Sequence, residues 1–312
     1  MTGTVAGIDI GGTKLSAVAV TPGGTQLAAV GTRAATHRGG SAVLAQVVEL
    51  VHDLELRAGH VTAVGVGAAG VIDETDGVVL AASTVFRDWV GRAIATELGE
   101  ALQRPVRVAN DVNAFLAGEL RWGALQDARD ALGIMLGTGV GGAVAMDGVV
   151  LPGRHGGMGE IGHTPSYSAH RCTCGGIGHL ETMTSGRSLG LRYGERAGTP
   201  PPTGREVARR ARAGDPHAMA VMDDAGVALA NAILSATTLL DIGHVVVGGG
   251  VAASWDLLQP RLEANIAANP PVTGRPLAIR RTQLDNTALG AASLALDALP
   301  VHASPHETLE AR

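Results

Sequence analysis

The sequence predicts an α/β fold in two domains, and three observations favour it. Three times, an apolar run at helical spacing is followed by a short strand-like run. The pairs are residues 42–56 with 61–67, 90–102 with 106–109, and 218–240 with 244–247. The length of 312 residues is enough for two domains with separate cores. A glycine turn between apolar strands also occurs in each half, which indicates two related halves facing a cleft.

The first glycine turn has the composition of a phosphate-binding hairpin. Its residues are Asp9, Gly11, Gly12, Thr13 and Lys14. Glycines let backbone N–H groups approach an anion closely, and an aspartate at the strand end can hold a divalent cation beside it. Lys14 is the only lysine in the chain, which favours a role for its compact ammonium group. A glycine hairpin without any binding role is the alternative interpretation.

Two more glycine segments extend this pattern. The second glycine turn, Gly137, Thr138 and Gly139, follows one apolar strand and precedes another. The third glycine loop, Gly248, Gly249 and Gly250, follows a strand and opens a helix predicted to begin near residue 251, so a flat ring can lie on the backbone and the helix N-terminus can face a phosphate. The G-x-G-x-x-G pattern that starts at Gly137 lacks a following helix, which argues against a dinucleotide site.

The composition of the chain argues against nucleic-acid and membrane partners. The net charge of −5 and the 2% content of aromatic residues argue against a nucleic-acid surface. We see neither a signal peptide nor a charge-free span long enough to cross a bilayer, so no membrane partner is expected. The two cysteines are separated by one residue, which is too close for an easy disulfide. We therefore expect a soluble cytoplasmic protein.

Asp111 is the first candidate for catalysis. It follows a short predicted strand and Asn110, and it lies at or near the N-cap of a helix predicted over residues 112–120. Capping alone explains an aspartate at this position. A general base that accepts a hydroxyl proton during phosphoryl transfer is the competing interpretation, and the two roles are compatible.

Four metal-binding side chains cluster later in the chain. His163, Cys172, Cys174 and His179 provide the ligands of a tetrahedral zinc site, and four protein ligands indicate a structural role. The alternative is two inert thiols and two surface histidines. Neighbouring carboxylates, with Asn110 and Asp111, form a polar set suited to a polyhydroxylated ligand, although such groups are often simply solvated. These carboxylates are Glu160 and Glu181.

Taken together, these motifs resemble the ROK family of sugar kinases and repressors, and they follow the family order over nearly the full length. The matching segments are residues 9–14, 65–73, 110–111, 136–143, 160–163, 172–181 and 245–250. The resemblance implies an actin-like ATPase (ribonuclease H-like) fold with two α/β domains around a cleft, where MgATP and sugar meet. The implied domains are residues 1–110 with 289–312, and residues 111–288 with the zinc loop. A homodimer is also implied.

The resemblance assigns roles by position. Asp111 becomes the base that activates a sugar 6-hydroxyl, and His163 both binds sugar and ligates zinc. The sugar-binding set comprises Asn110, Asp111, Glu160, His163, Glu181, Gly70 and Thr84. The set for ATP, its phosphates and Mg²⁺ comprises Asp9, Gly11, Gly12, Thr13, Lys14, Gly137, Thr138, Gly139, Gly248, Gly249 and Gly250.

Two departures bear on specificity. His179 stands where the family usually has a third cysteine, and Thr84 ends an Ala-Ser-Thr segment where glucokinases of the family commonly carry Ala-Pro-Asn. The lost amide indicates altered recognition of a hydroxyl. We therefore expect an ATP-dependent 6-kinase for glucose or for a glucose-like aminosugar such as kanosamine.

Three alternatives stay open. One is a sugar-responsive ROK-type regulator without kinase activity, although the first glycine turn starts so near Met1 that we expect no N-terminal helix-turn-helix. The second is a chaperone-like or filament-forming ATPase of the same fold, which would not need the carboxylates and cysteines. The third is a kinase that takes its phosphate from polyphosphate instead of ATP.

Overall fold

A computed structural model of the chain describes residues 3–299. From the N-terminus the elements are β1 Thr4–Ile10, β2 Lys14–Val20, β3 Gln26–Arg33, α1 Gly40–Ala58, β4 Val61–Ala68, β5 Val71–Asp73, β6 Val78–Ala81, α2 Ile94–Leu102 and β7 Val106–Asn110. The chain continues with α3 Asp111–Arg121, β8 Ala131–Leu136, β9 Val140–Met146, β10 Val149–Val150, α4 Glu181–Thr184, α5 Gly186–Ala197, α6 Gly204–Arg212, α7 Pro216–Leu240, β11 His244–Gly248, α8 Trp255–Ala268, β12 Ala278–Arg281 and α9 Thr287–Asp297. Short 3₁₀ turns occur at Thr36–Arg38, Ile161–His163 and Gly250–Ser254.

These elements fall into two compact units. The first takes its described residues from Met1–Ala109 and Ala291–Arg312, and the second is Asn110–Gly290. The predicted α/β alternation is confirmed, because all three predicted helix and strand pairs are present. The boundary predicted at residue 90 is wrong: α2 begins at Ile94, since Arg92 and Ile94 pair with the β5–β6 hairpin through bonds to Val79 and Gly77.

The two units have sheets of matching topology. Their strand orders are β3-β2-β1-β4-β7 and β10-β9-β8-β11-β12. In each sheet a glycine turn joins an antiparallel pair, β1 with β2 or β8 with β9. In each, the first strand of that hairpin also pairs in parallel with a strand that follows a helix, β4 or β11. The similarity expected from the two glycine turns is therefore present in the topology.

Helices cover both faces of the first sheet. On one face α1 presents apolar residues at helical spacing, including Val43, Val47 and Leu54, to the core that contains Ile8 and Ile10. On the other face α9 lies so close to β4 that a Cβ on Gly65 would meet the carbonyl oxygen of Ala291 at 1.9 Å. Because side chains alternate along a strand and both faces are covered, β1, β2 and β4 are almost continuously buried, whereas the edge strand β3 is largely exposed.

The second sheet is likewise covered on both faces. Alternate residues of β11 show this, because Val245 and Val247 belong to the core under α5 to α8, whereas Val246 belongs to a smaller core under α3. Among the described residues, α7 is a helix long and apolar enough to cross a membrane by length and composition. It is buried along 56% of its most apolar window and contributes Val221, Leu229 and Ile233 to the core, so we assign it as a core helix.

Candidate active site

The first glycine turn is present in the first unit as a tight hairpin. β1 and β2 pair until Ile10 lies opposite Leu15, and the N–H of Gly11 donates to the carbonyl of Lys14 at 3.1 Å. Asp9 is the penultimate residue of β1, and the side chains of Thr13 and Lys14 are exposed. The turn thus has the strand, glycine and strand geometry that the sequence predicted.

Gly70 lies in the segment that leaves the first sheet at the same edge as the first glycine turn. β1 and β4 are parallel with Ile10 opposite Ala68, so the segments after both strands begin side by side. Gly70 has a φ of +117°, and a Cβ there would lie 2.4 Å from the carbonyl oxygen of Ala81. Only glycine fits both conditions, which gives this residue a structural explanation independent of sugar binding.

Thr84 lies in an exposed turn that borders the first glycine turn. Its neighbour Val85 places a methyl group 3.3 Å from the position that a Cβ on Gly12 would take. The side chain of Thr84 is exposed to solvent. Within the first unit, Thr84, which we assign to sugar specificity, therefore lies close to the residues that we assign to phosphate.

The second glycine turn and the third glycine loop lie side by side in the second unit. β8 and β11 are parallel with Met135 opposite Gly248, so both segments leave one edge of the sheet. A Cβ on Gly249 would lie 2.5 Å from the carbonyl oxygen of Leu136, and Gly249 has a φ of +88°. Glycine is required at this position both by the backbone conformation and by the close approach to the strand that precedes Gly137.

The helix after the third glycine loop differs from the prediction. The chain first forms a 3₁₀ turn, Gly250–Ser254, closed by a bond from the N–H of Ala252 to the carbonyl of Gly249 at 3.1 Å. The α-helix begins only at Trp255. A Cβ on Gly250 would meet no atom within 4 Å, so packing does not require glycine there.

Asn110 and Asp111 make different contacts at the start of α3. The side chain of Asn110 is the N-cap, because its Oδ1 accepts bonds from the N–H groups of Val112 at 2.8 Å and Asn113 at 3.3 Å. Asp111 is the first residue of the helix, and its Oδ1 accepts a bond from Val112 at 3.1 Å. The cap is therefore supplied mainly by Asn110, which weakens capping as the explanation for Asp111.

The segment with Glu160 and His163 is fixed against β9 by glycine contacts. A Cβ on Gly159 would lie 2.6 Å from the carbonyl oxygen of Gly142, and a Cβ on Gly162 would lie 2.0 Å from that of Val140. The Nε2 atom of His163 lies 3.8 Å from a carboxylate oxygen of Glu160, and both side chains are partly exposed. These candidate sugar ligands are thus held next to the strand that follows the second glycine turn.

The four predicted metal ligands converge in the second unit. One ligand atom from each of His163, Cys172, Cys174 and His179 lies within 4.8 Å of all the others. The Sγ of Cys172 is 3.8 Å from the Nδ1 of His163, and the Sγ of Cys174 is 3.3 Å from the Nδ1 of His179. Ligand bonds of zinc to sulfur and nitrogen at tetrahedral angles give a sulfur to nitrogen separation of about 3.6 Å. The donor set and its spacing therefore fit zinc.

The cysteine loop, residues 171–179, is shaped for this cluster. Gly175 and Gly178 have positive φ values, and a Cβ on Gly176 would lie 2.3 Å from the ring of His179. Burial raises the pKa of the Cys172 thiol, whereas a bound cation acts in the opposite direction. With His179 as fourth ligand the site carries two thiolates and two neutral rings, which together balance the charge of Zn²⁺.

Glu181 connects the cysteine loop to the second glycine turn. Its side chain is buried, with the residue 8% exposed. Oε1 accepts a bond from the hydroxyl of Thr173 at 2.8 Å and lies 3.4 Å from the Sγ of Cys172. Oε2 accepts a bond from the N–H of Val140 at 3.1 Å. Sequence reasoning did not identify Thr173, because its partner becomes a neighbour only through the fold.

The chain is similar to known proteins over almost its full length. The model of the family described as ROK matches residues 5–298. A glucokinase from Pyrobaculum calidifontis is 33% identical over 293 residues, covering 93% of this chain and 94% of that protein. An N-acetyl-D-glucosamine kinase from Pectobacterium atrosepticum is 30% identical over 228 residues, covering 70% and 74%.

A solved structure extends the likeness to three dimensions. The ROK family glucokinase from Streptomyces griseus, in complex with glucose and AMPPNP, superposes with a TM-score of 0.81 at 28% identity, covering 95% of this chain and 99% of that one. The predicted actin-like ATPase fold is confirmed by such neighbours. The chain belongs to the ROK family.

Proposed function

We propose that the protein is an ATP-dependent sugar kinase that phosphorylates the 6-hydroxyl of glucose or of a glucose-like aminosugar. One observation carries the proposal. Val112, next to Asp111, packs its side chain on Gly141, where a Cβ would lie 2.7 Å from a methyl group of the valine. The helix that bears the candidate base is therefore held on the strand that starts directly after the second glycine turn.

In this proposal each residue of the site has a defined task. Asp111 accepts the proton of the sugar hydroxyl while that oxygen attacks the γ-phosphorus and ADP leaves. The ligands for the sugar hydroxyls are Asn110, Glu160, His163, Glu181, Gly70 and Thr84. The first and second glycine turns bind phosphates through their backbone N–H groups, with Lys14 adding positive charge. The third glycine loop binds the adenosine.

Two metal ions complete the proposal. Mg²⁺ bound with the nucleotide supplies charge neutralisation on the phosphates, and Asp9 is the carboxylate that we assign to it. Zinc has a structural role, because all four of its ligands come from the protein. It would fix the ring of His163 through Nδ1, so that Nε2 and the neighbouring Glu160 face the sugar.

The names of the relatives support a sugar substrate. They do not distinguish between glucose and an aminosugar. Both a glucokinase and an N-acetyl-D-glucosamine kinase match most of the chain. A sugar-responsive regulator without kinase activity is the alternative function within the family. We also propose that the protein is a cytoplasmic homodimer. Light scattering tests the dimer, whose expected mass is twice the chain mass of 31.5 kDa.

A coupled ADP assay tests the proposal. Purified protein with MgATP is given glucose, mannose, glucosamine, N-acetylmannosamine, N-acetylglucosamine or kanosamine in separate reactions. We expect ADP release that depends on one or more of these sugars, and a product that carries phosphate on the 6-oxygen by NMR. Sugar binding by calorimetry without any sugar-dependent ADP release would instead favour the regulator.

A further inference from the structure

We infer that Thr173 and Glu181 are positioning residues that link the cysteine loop to the second glycine turn, so that the metal site sets the geometry of the candidate phosphate site. The inference deepens the proposed function and rests on it for the role of residues 137–139. The distances within the second unit carry it, since one carboxylate contacts both segments.

The Glu181 carboxylate has two differently engaged oxygens. Oε1 receives the hydroxyl hydrogen of Thr173 from the cysteine loop, at 2.8 Å. Oε2 receives the N–H of Val140, the first residue after the second glycine turn, at 3.1 Å. Hydrogen bonds to a buried carboxylate are stronger than those between neutral groups. The side chain of Glu181 therefore joins Val140, 41 residues before it, to Thr173, 8 residues before it.

The glycine turn is shaped around this carboxylate. A Cβ on Gly139 would lie 2.6 Å from Oε2 of Glu181, so a side chain at this position would displace the carboxylate. On the other side of the turn, the carbonyl of Gly137 accepts a bond from the N–H of Gly186 at 2.8 Å. A shift of Glu181 would thus move Val140, which donates to Oε2, and with it the peptide group of Gly139 in the turn that we propose binds phosphate.

Thr173 is the donor that defines the position of Oε1. The nearby Cys172 Sγ, at 3.4 Å, has no proton to donate when it serves as a thiolate ligand. The threonine hydroxyl then remains as the side-chain donor from the loop to Oε1. Thr173 itself is exposed, so its side chain can be changed with little effect on packing.

Thr173→Val removes the hydroxyl at nearly constant volume, and Thr173→Ser is the matched control that retains it. We expect Thr173→Val to bind as much zinc as wild type, to raise the KM for MgATP about tenfold, and to change the KM for the sugar less. In hydrogen exchange, peptides covering residues 137–142 should exchange at least about threefold faster, whereas peptides from residues 61–68 should not change. Thr173→Ser should restore both properties, and Thr173→Ala provides a second hydroxyl-free variant.

The inference is overturned if zinc-loaded Thr173→Val keeps wild-type exchange in residues 137–142. It is also overturned if only the KM for the sugar rises, because Glu181 would then act as a sugar ligand alone. Equal impairment of the valine and serine variants would equally exclude a role for the hydroxyl. Exchange is measured without substrate, so it tests the link even if the wild-type protein shows no kinase activity and the proposed function fails.

Discussion

At the scale of single residues, the pair Asn110 and Asp111 shows how neighbouring polar side chains take different tasks. The amide oxygen of Asn110 accepts two backbone bonds and begins α3. Asp111, already within the helix, is not the main source of that cap. A carboxylate at the first helical position is favoured by the helix dipole and can remain ionised as a base. We therefore assign helix stability to Asn110, besides the sugar contact that we propose for it, and turnover to Asp111.

Two substitutions separate these tasks. Asp111→Asn should lower kcat by about 100- to 10,000-fold, because the base is lost, while the sugar dissociation constant stays near that of wild type. Asn110→Ala should lower the free energy of unfolding by about 1 kcal/mol, because the cap is lost. Steady-state kinetics, calorimetry and urea denaturation measure the three quantities. If Asp111→Asn keeps turnover within about tenfold of wild type, Asp111 is not the base.

At the scale of elements, close contacts between glycine backbones position α3. In the second unit, a Cβ on Gly118 would lie 2.5 Å from the Cα of Gly290, and a Cβ on Gly290 would lie 2.5 Å from the carbonyl oxygen of Ala114. Helix α3 and the start of α9 therefore pack with almost no side chain between them. This contact fixes the helix that begins with the candidate base.

Gly118→Ala should therefore destabilise the protein although alanine is the better helix former. We expect a loss of about 1–3 kcal/mol from overpacking against backbone that cannot move aside. Gly99→Ala in α2 is the matched control, because its new methyl group would meet only the carbonyl oxygen of Arg104 at 3.7 Å. That variant should gain about 0.5–1 kcal/mol from helix propensity. Urea denaturation of both variants checks the prediction, and equal stability changes would contradict it.

At the scale of the whole molecule, each unit has its own apolar interior. One core cluster is drawn entirely from residues of the first unit, and two others are drawn entirely from the second. The second unit, Asn110–Gly290, is also one continuous stretch of chain. It contains all four candidate zinc ligands. Folding and metal binding of this unit should therefore not require the first.

We expect the fragment of residues 110–290 to fold alone and to bind about one zinc per chain, as the full-length protein does. Circular dichroism and metal analysis under non-chelating conditions measure both properties. A full-length protein with less than about 0.2 zinc per chain would contradict the zinc site. If the full-length protein binds zinc but the fragment does not fold, the second unit is not an independent domain. The metal site would still be supported in that case.

Much of the fold could be predicted because its signals are local. Helical spacing in residues 42–56 and the apolar strand after it require no knowledge of distant contacts. The predicted start of α2 is wrong because residues 92–94 pair with the β5–β6 hairpin, a contact that periodicity cannot show. The four predicted metal ligands do converge, since short loops rich in glycine bring cysteines and histidines together from nearby positions.

The sequence by itself determined the α/β alternation, the three glycine segments, the cysteine and histidine cluster and the likeness to a family, since all depend on residue type and short spacing. Only the tertiary structure decided that Asn110 caps α3, that Gly249 packs on the strand before the second glycine turn, and that Glu181 joins Thr173 to Val140. The contacts of Gly249 with Leu136 and of Glu181 with Val140 connect residues far apart in the chain. They exist because the packing of each sheet with its helices brings the ends of its strands and loops into contact.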